Sequence, residues 1–336
     1  GPMKNVLVTG GTGFLGSSIA KALLQEGCSV RILRRANSDK RAIGDAPVEH
    51  VPGDVRDRRS LLRAMQGCDT VFHTAAVISY WRRERDTMYD VNIRGTRNVV
   101  ECCLELGVGK LVHTSSIAAI GYPEGNGLAD ESNNFNWDGY DVGYRISKHR
   151  AEEEIRRGVH KGLQAVMLNP AVIIGPGDIH FHGGQIIRDV ALKCIFFYLE
   201  GGMNVVYIDD VVRGHLAAAK QGRVGERYIL CGENLTHQEI FGTTASLVGG
   251  ISPKFKLPIG LAQWIGTAAE AGANVLRKKP WVTKELLAGA GLYNYFSCDK
   301  ARRELNYTVT PFREAVQRTF EWYCKQGFLK PVHSVN

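Results

Sequence analysis

Several absences narrow the field before any motif is considered. No run of 18 or more uninterrupted apolar residues occurs in the 336 positions, so a membrane-spanning helix is not expected. The eight cysteines, at positions 28, 68, 102, 103, 194, 231, 298 and 324, form no C-x-x-C pair. That spacing points to neither a zinc site nor a disulfide framework, and no metal is expected. They read as reduced thiols, which suits a cytoplasmic protein. The net charge of +8 is modest and dispersed. Its basic pieces (Arg34-Arg35, Arg56 to Arg59, Arg82-Arg83 and Arg277 to Lys279) are not interleaved with aromatics on one face, so nucleic acid is not an expected partner. There is no internal repeat and no low-complexity segment. The leading Gly1-Pro2 looks like a scar of tag removal, with a natural start expected at Met3 and no signal peptide after it.

The rest is ordinary globular composition, 44% hydrophobic and 23% charged, and long enough for a sizeable core. Short Val/Ile/Leu-rich runs are expected to form strands at Asn5–Thr9, Ser29–Leu33, Val48–Val51, Thr70–Thr74, Lys110–Thr114 and Gln164–Leu168. Helical patterns lie between them, near Phe14–Gln25, Arg59–Met65, Asp86–Leu106 and Asp141–Arg157. This alternation predicts an α/β fold, a Rossmann-type doubly wound parallel sheet covered on both faces. After Pro170 the texture changes: Gly175-Pro176-Gly177 breaks the chain, and strand candidates shrink to Asn204–Ile208 and Arg227–Leu230. The expected division is a dinucleotide-binding domain over 3–170, to which later segments can return, and a smaller, mostly helical substrate domain over 171–331.

The first strand leads into Thr9-Gly10-Gly11-Thr12-Gly13-Phe14-Leu15-Gly16 and then an apolar helix. Gly10 permits a tight turn, Gly13 lets the main chain approach a diphosphate, and Gly16 permits close helix–sheet packing. The helix start, with Phe14 and Leu15, offers free N–H groups and a partial positive charge. A nicotinamide dinucleotide is the expected cofactor. Where an NAD site carries an acid for the ribose hydroxyls, this chain has Arg34 and Arg35, followed by Ser38 and Lys40. Guanidinium suits a 2′-phosphate in charge and donor geometry, so NADP(H) is favoured, with NAD(H) as the alternative.

Further on, Tyr144 and Lys148 stand four apart at the start of a predicted helix, which puts both side chains on one face. An ammonium there should draw the phenol's pKa down from about 10 and equip Tyr144 for proton transfer. Tyr144 lies 28 residues after Ser116, at the end of the strand and turn running through Thr114-Ser115-Ser116. A hydroxyl at that sheet edge can hold a substrate oxygen as charge develops on it.

With these residues in hand, the chain resembles an extended short-chain dehydrogenase/reductase over nearly its whole length. Thr9-Gly10-x-x-Gly13-x-x-Gly16, Asp54-Val55, His73-Thr74-Ala75-Ala76, Asn92, Ser116, Tyr144 and Lys148 fall in that family's order. The resemblance implies that Asp54 and Val55 contact adenine and that Ala75 and Ala76 line the cofactor ribose. It implies an active site of Ser116, Tyr144 and Lys148, with Lys148 also on the nicotinamide ribose and Asn92 in the proton-relay region. Asn169-Pro170-Ala171-Val172 resembles the segment that places the nicotinamide, which adds Pro170 and Val172 to the cofactor contacts. Ser115 is the rival for the catalytic serine.

Within the family, the order of the C-terminal half resembles the 3β-hydroxysteroid dehydrogenase and dihydroflavonol reductase branch. The dehydratase signature of acids after the catalytic hydroxyl is missing, since Ile117-Ala118 follow Ser116. The residues before Tyr207-Ile208-Asp209-Asp210 are Met203-Asn204-Val205-Val206, without the cation that a sugar-nucleotide diphosphate would need. A small hydrophobic ketone (steroid-, flavonoid- or keto-acid-like) or its secondary alcohol is therefore the expected substrate, contacted by Ile78, Tyr80, Trp81 and Ser116. The alternatives are a sugar-nucleotide epimerase with the same site, and a non-catalytic NADP(H)-binding regulator.

The apolar stretch from Ile259 is expected to pack as a substrate-domain helix, with contact to a membrane surface as the alternative. The segments Asp86–Leu106 and the Tyr144 helix would serve a homodimer. His180-Phe181-His182 reads as surface histidines on a loop, His73 and His113 as packed side chains, and 121–143 as an ordered loop bordering the substrate.

Overall fold

A computed structural model describes residues 1–125 and 127–332. Position 126, inside the expected loop 121–143, lies outside the described residues. The first half lays down β1 (Asn5–Thr9), α1 (Phe14–Gln25), β2 (Ser29–Arg34), β3 (Glu49–Pro52), α2 (Arg58–Met65) and β4 (Thr70–His73). It continues with α3 (Arg85–Tyr89), α4 (Gly95–Leu106), β5 (Lys110–Thr114), α5 (Gly143–His160) and β6 (Ala165–Pro170). The second half adds β7 (Val172–Ile174), α6 (Gln185–Ala191), β8 (Phe197–Tyr198), β9 (Gly202–Tyr207), α7 (Ile208–Gln221) and β10 (Arg227–Leu230). It ends with β11 (Glu233–Thr236), α8 (His237–Val248), β12 (Phe255–Lys256), α9 (Ile259–Leu276), α10 (Asp299–Leu305) and α11 (Phe312–Lys325).

Seven strands form one parallel sheet in the order β10-β6-β5-β4-β1-β2-β3. Successive strand residues point to opposite faces, and both faces are apolar here. Val6 and Val8 of β1 therefore join one core with Ile19, Phe72, Val112 and Val211, while Leu7 joins another with Leu61, Val71, Val99 and Ile155. Strand order reverses between β1 and β4, so a crevice opens beyond their C-terminal ends, where doubly wound sheets bind ligands.

Three features refine the sequence expectation, the first of them the return of a later segment that it allowed for. The seventh strand, β10, comes from the second half, and α7 packs beside it against the same sheet. The strand expected at Asn204–Ile208 forms as β9, but it pairs with β7 and β11 in a separate three-stranded sheet. The helix expected over Asp86–Leu106 is interrupted by a π turn at Asp90–Arg94. Its extra residue re-aims Asn92, which lies inside the turn, towards the loop after β4.

Candidate active site

The glycine turn follows β1 directly into the crevice. Gly10 has φ +66°, a left-handed conformation, and a Cβ there would sit 2.8 Å from the Ala75 nitrogen. At Gly16 a Cβ would come within 2.1 Å of the Gly10 carbonyl oxygen. Helix α1 starts on Gly13, which has no side chain to cap it, so the first-turn N–H groups face the exposed turn unpaired by any side chain. A surface cradle of bare main chain with open donors fits the diphosphate of a dinucleotide. Thr9, expected among the cofactor contacts, is wholly buried behind the turn. Its hydroxyl accepts from the Thr74 and Ala75 nitrogens at 3.1 and 3.2 Å and bonds His73 Nδ1 at 2.7 Å. Thr9 therefore fixes the loop carrying Ala75 and Ala76, which border the crevice.

Beyond β2, Arg34 donates to His50 Nδ1 at 3.0 Å, and both line a recess of about 550 Å³ with Lys40, Arg41, Gly44 and Asp45. Arg35 is exposed beside it and helps hold the Asp54 carboxyl below the usual range, second to the Arg56 guanidinium that bonds it at 2.8 Å. Asp54 and Val55 thus lie together near Arg35, with Val55 buried against Gly95. His50 escaped the sequence reading because nothing in a lone histidine on an edge strand signals a ligand.

The Ser116, Tyr144 and Lys148 side chains converge where β5 ends and α5 begins, and all three are buried. Ser115 points elsewhere: its hydroxyl donates to the buried Glu152 carboxylate. The Ser116 hydroxyl instead caps a short turn, accepting from Ala118 N at 3.0 Å, and lies beside the Tyr144 phenol. Burial pushes Tyr144 above its ordinary pKa, Tyr80 reinforces this, and the Ser116 hydroxyl and the Arg145 charge oppose it. The expected lowering by Lys148 is not what the structure gives. Lys148 is not among the groups that act on the phenol; its Nζ instead reaches back to the Thr114 carbonyl at 3.4 Å. Burial drives Lys148 itself down to about 8, with Glu152 one turn along opposing the shift.

Asn92, also buried, clamps the loop after β4. Its side-chain oxygen accepts from Val77 N at 2.8 Å, and its amide donates to Val77 O at 2.9 Å and to Ser147 Oγ at 3.0 Å. It thus joins the loop bearing Ile78 and Tyr80 to α5.

Beneath the site runs a buried polar floor that the sequence reading missed. Glu152 accepts from Arg227 at 2.9 Å, Arg156 at 3.0 Å and Asn169 at 2.8 Å. Asn169 also donates to the Ser116 carbonyl at 2.9 Å. Arg227, from β10, further donates to the Glu131 and Asn133 carbonyls, both at 3.0 Å. The i, i+4 spacing of Lys148 and Glu152 was the one available signal; nothing local pointed to Arg227. Pro170 is buried at the end of β6, and Val172 is half-buried in β7. His73 and His113 stack with centroids 5.4 Å apart, and burial lowers the pKa of both.

On the substrate side, the Tyr80 ring meets Tyr144 edge-on at 5.8 Å. Trp81 does not face the crevice freely; its indole donates to Asn274 of α9 at 3.0 Å. Ile78 is exposed. Helix α9, expected to pack on its neighbours, buries Ala262 and Gly266 and turns Leu261, Trp264, Val275 and Leu276 outward. The buried face packs at Gly266 against Thr283 and Leu287, and the helix is also held through Trp81 and by a 3.0 Å bond from Lys284 N to Glu270. Among the described residues no helix is long and apolar enough to cross a membrane. In the 180–182 loop, His180 lies 3.2 Å from Asp39, and Phe181 stacks on Tyr323.

The sequence matches the NAD dependent epimerase/dehydratase family over residues 6–231. The chain belongs to that family. The match spans the glycine turn, Ser116, Tyr144, Lys148 and the sheet through β10. A provisionally named dihydroflavonol 4-reductase of Synechocystis sp. is 33% identical over 96% of this chain and 95% of its own. Sterol demethylase protein B of Methylococcus capsulatus is 32% identical over 96% and 99%. The crystal structure of gox2253 superposes with a TM-score of 0.86 at 36% identity, covering 97% of this chain and all of the other. The epimerase/dehydratase family member described here is therefore a nicotinamide-dinucleotide-dependent enzyme of the extended short-chain dehydrogenase/reductase type, near the 3β-hydroxysteroid dehydrogenase and dihydroflavonol reductase branch.

Proposed function

We propose that this family member is an NADP(H)-dependent oxidoreductase interconverting a hydrophobic ketone and its secondary alcohol. The observation that carries the reading is the convergence of Ser116 and Tyr144 beside the aromatic wall of Tyr80, in the crevice that the glycine turn enters. When bound, the dinucleotide supplies or accepts the hydride at the substrate carbon. Ser116 holds the carbonyl oxygen, and Tyr144, kept protonated by its burial, gives that oxygen its proton. Lys148 holds positive charge behind them and would hold the nicotinamide ribose. Asn92 is a positioning residue, since its polar atoms bind Val77 and Ser147. The names of the sterol and dihydroflavonol relatives support an apolar substrate.

The preference for NADP(H) rests on Arg34, Arg35, Lys40 and His50 gathered at the end of β2, where a 2′-phosphate would lie. The free thiols suit a cytoplasmic enzyme. Replacing Tyr144 by Phe should abolish NADPH oxidation with apolar ketones while NADPH still binds. The wild-type enzyme should show a lower KM for NADPH than for NADH. Retained turnover would overturn the role of Tyr144, and a clear NADH preference would overturn the role of the arginines.

A further inference from the structure

Arg145 follows Tyr144 directly, yet the function derived so far gives it no task. Its guanidinium lies 3.9 Å from the centroid of the Trp137 ring. Among the described residues it forms no ion pair and donates no hydrogen bond, and none of its nitrogens is sealed from solvent. Burial lowers its pKa, while the phenols of Tyr80, Tyr140 and Tyr144 lie close enough to oppose the shift. The carboxylates flanking the start of α5 are not free to pair with it: Asp141 is held by Arg82 and Arg85, and Glu285 by Arg85. A partly desolvated guanidinium without a counter-charge is costly unless a ligand completes it. Stacking on an indole also fixes its plane in advance, leaving the donor fork to a two-oxygen acceptor.

We propose that Arg145 receives a carboxylate of the substrate, so that the site takes oxo acids and their hydroxy acids in preference to neutral ketones. The inference rests on the reductase reading of Tyr144 and deepens it. Tyr144 and Arg145 are consecutive and both approach Tyr80, so the acid group lies a few bonds from the reacting carbonyl, as in a 3-oxo acid. A single guanidinium with one positive charge matches a carboxylate. A diphosphate would draw on several cations, and the neighbouring Arg82 and Arg85 are already paired. The remaining wall, formed by Tyr80 and Tyr140, suits an aliphatic or ring body.

The test compares freshly prepared 3-oxooctanoate with its methyl ester, followed by NADPH consumption. The wild-type enzyme should favour the acid by about 10-fold or more in kcat/KM, the scale of one lost charge-assisted bond. Arg145→Gln should bring the acid-to-ester ratio close to one, through a raised KM for the acid, and Arg145→Lys should recover part of it. Thermal melts of both variants report whether the fold is kept. Should Arg145→Gln not fold, the Arg145→Lys ratio decides in its place. Equal use of acid and ester by the wild type would overturn the assignment. So would a Gln variant that slows both substrates by one factor, since the guanidinium would then be a structural stack on Trp137. Consumption of neither, with a sterol or dihydroflavonol ketone still reduced, overturns the assignment alone, whereas an enzyme that binds NADPH and reduces none of these ketones overturns the reductase reading as well.

Discussion

The two walls of the crevice are built from different materials. The side proposed to seat the dinucleotide is main chain: a turn whose shape Gly10 and Gly16 dictate, with N–H groups as its donors. The proposed substrate side is assembled from side chains of separate segments, with Tyr80 after β4, Arg145 on α5 backed by the buried Trp137 of the long loop, and a support from α9 through Trp81. A wall of main chain tolerates almost no change at its few glycines and accepts one kind of ligand. A wall of side chains can be altered one residue at a time, which is how one fold comes to serve different substrates.

The sharpest break of this contrast is Gly16→Val. Its Cβ would meet the Gly10 carbonyl carbon and oxygen at 2.7 and 2.1 Å, contacts with backbone that no rotamer relieves. NADPH binding, read by titration of tryptophan fluorescence, should be lost, and stability should fall by about 3 kcal/mol or more. Normal NADPH affinity in this variant would show that the turn is not the dinucleotide's seat.

A smaller effect is expected at the seam between the walls. Lys148 titrates at about 8 in the fold, below its ordinary 10.5, because burial disfavours the charged form. The unfolded chain therefore holds this proton over a range in which the folded chain has released it, and stability rises with pH from about 8 to about 10.4. Below pH 8 the buried charge weakens the fold in full. Lys148→Met should accordingly melt higher than wild type at pH 7, with the gap closing as pH climbs towards 10, while turnover is lost. A gap of constant size across that range would contradict the burial effect.

The smallest effect tests how the substrate wall is held. Trp81→Phe removes the 3.0 Å bond to Asn274 and little else, at a cost of about 1 kcal/mol. KM for an apolar ketone should rise a few-fold with kcat nearly constant, because α9 is loosened and the proton-transfer groups are not. A fall in kcat with unchanged KM would mean that Trp81 acts on Tyr144 instead.

The same contrast explains what the sequence disclosed. The strands around the glycine turn were legible because each is a short apolar run buried on both faces, with Val6, Leu7 and Val8 as the plainest case. Ser116, Tyr144 and Lys148 were legible because family order and helical spacing tie them together. The π turn at Asp90–Arg94 was not, since one extra residue barely disturbs an apolar periodicity. Glu152 and Arg227 are 75 residues apart, and only the return of β10 to the sheet joins them. The lowering of Tyr144 by Lys148 failed as an expectation because spacing along a helix says nothing of how deeply the phenol is buried. Arg145 carries no signal in the sequence, its isolation being visible only where Asp141 and Glu285 have other partners.

The position of β10 also sets an order of assembly during synthesis. When β1 to β6 have left the ribosome, the glycine turn, Ser116, Tyr144 and Lys148 are all present, but Arg227 is still to be translated. Until it arrives, Glu152 has lost one of its two arginine partners and β6 offers an open edge to any passing strand. The nascent chain thus carries the names of its reaction centre before it has the floor on which they stand, and β10 closes the vulnerable interval as it docks.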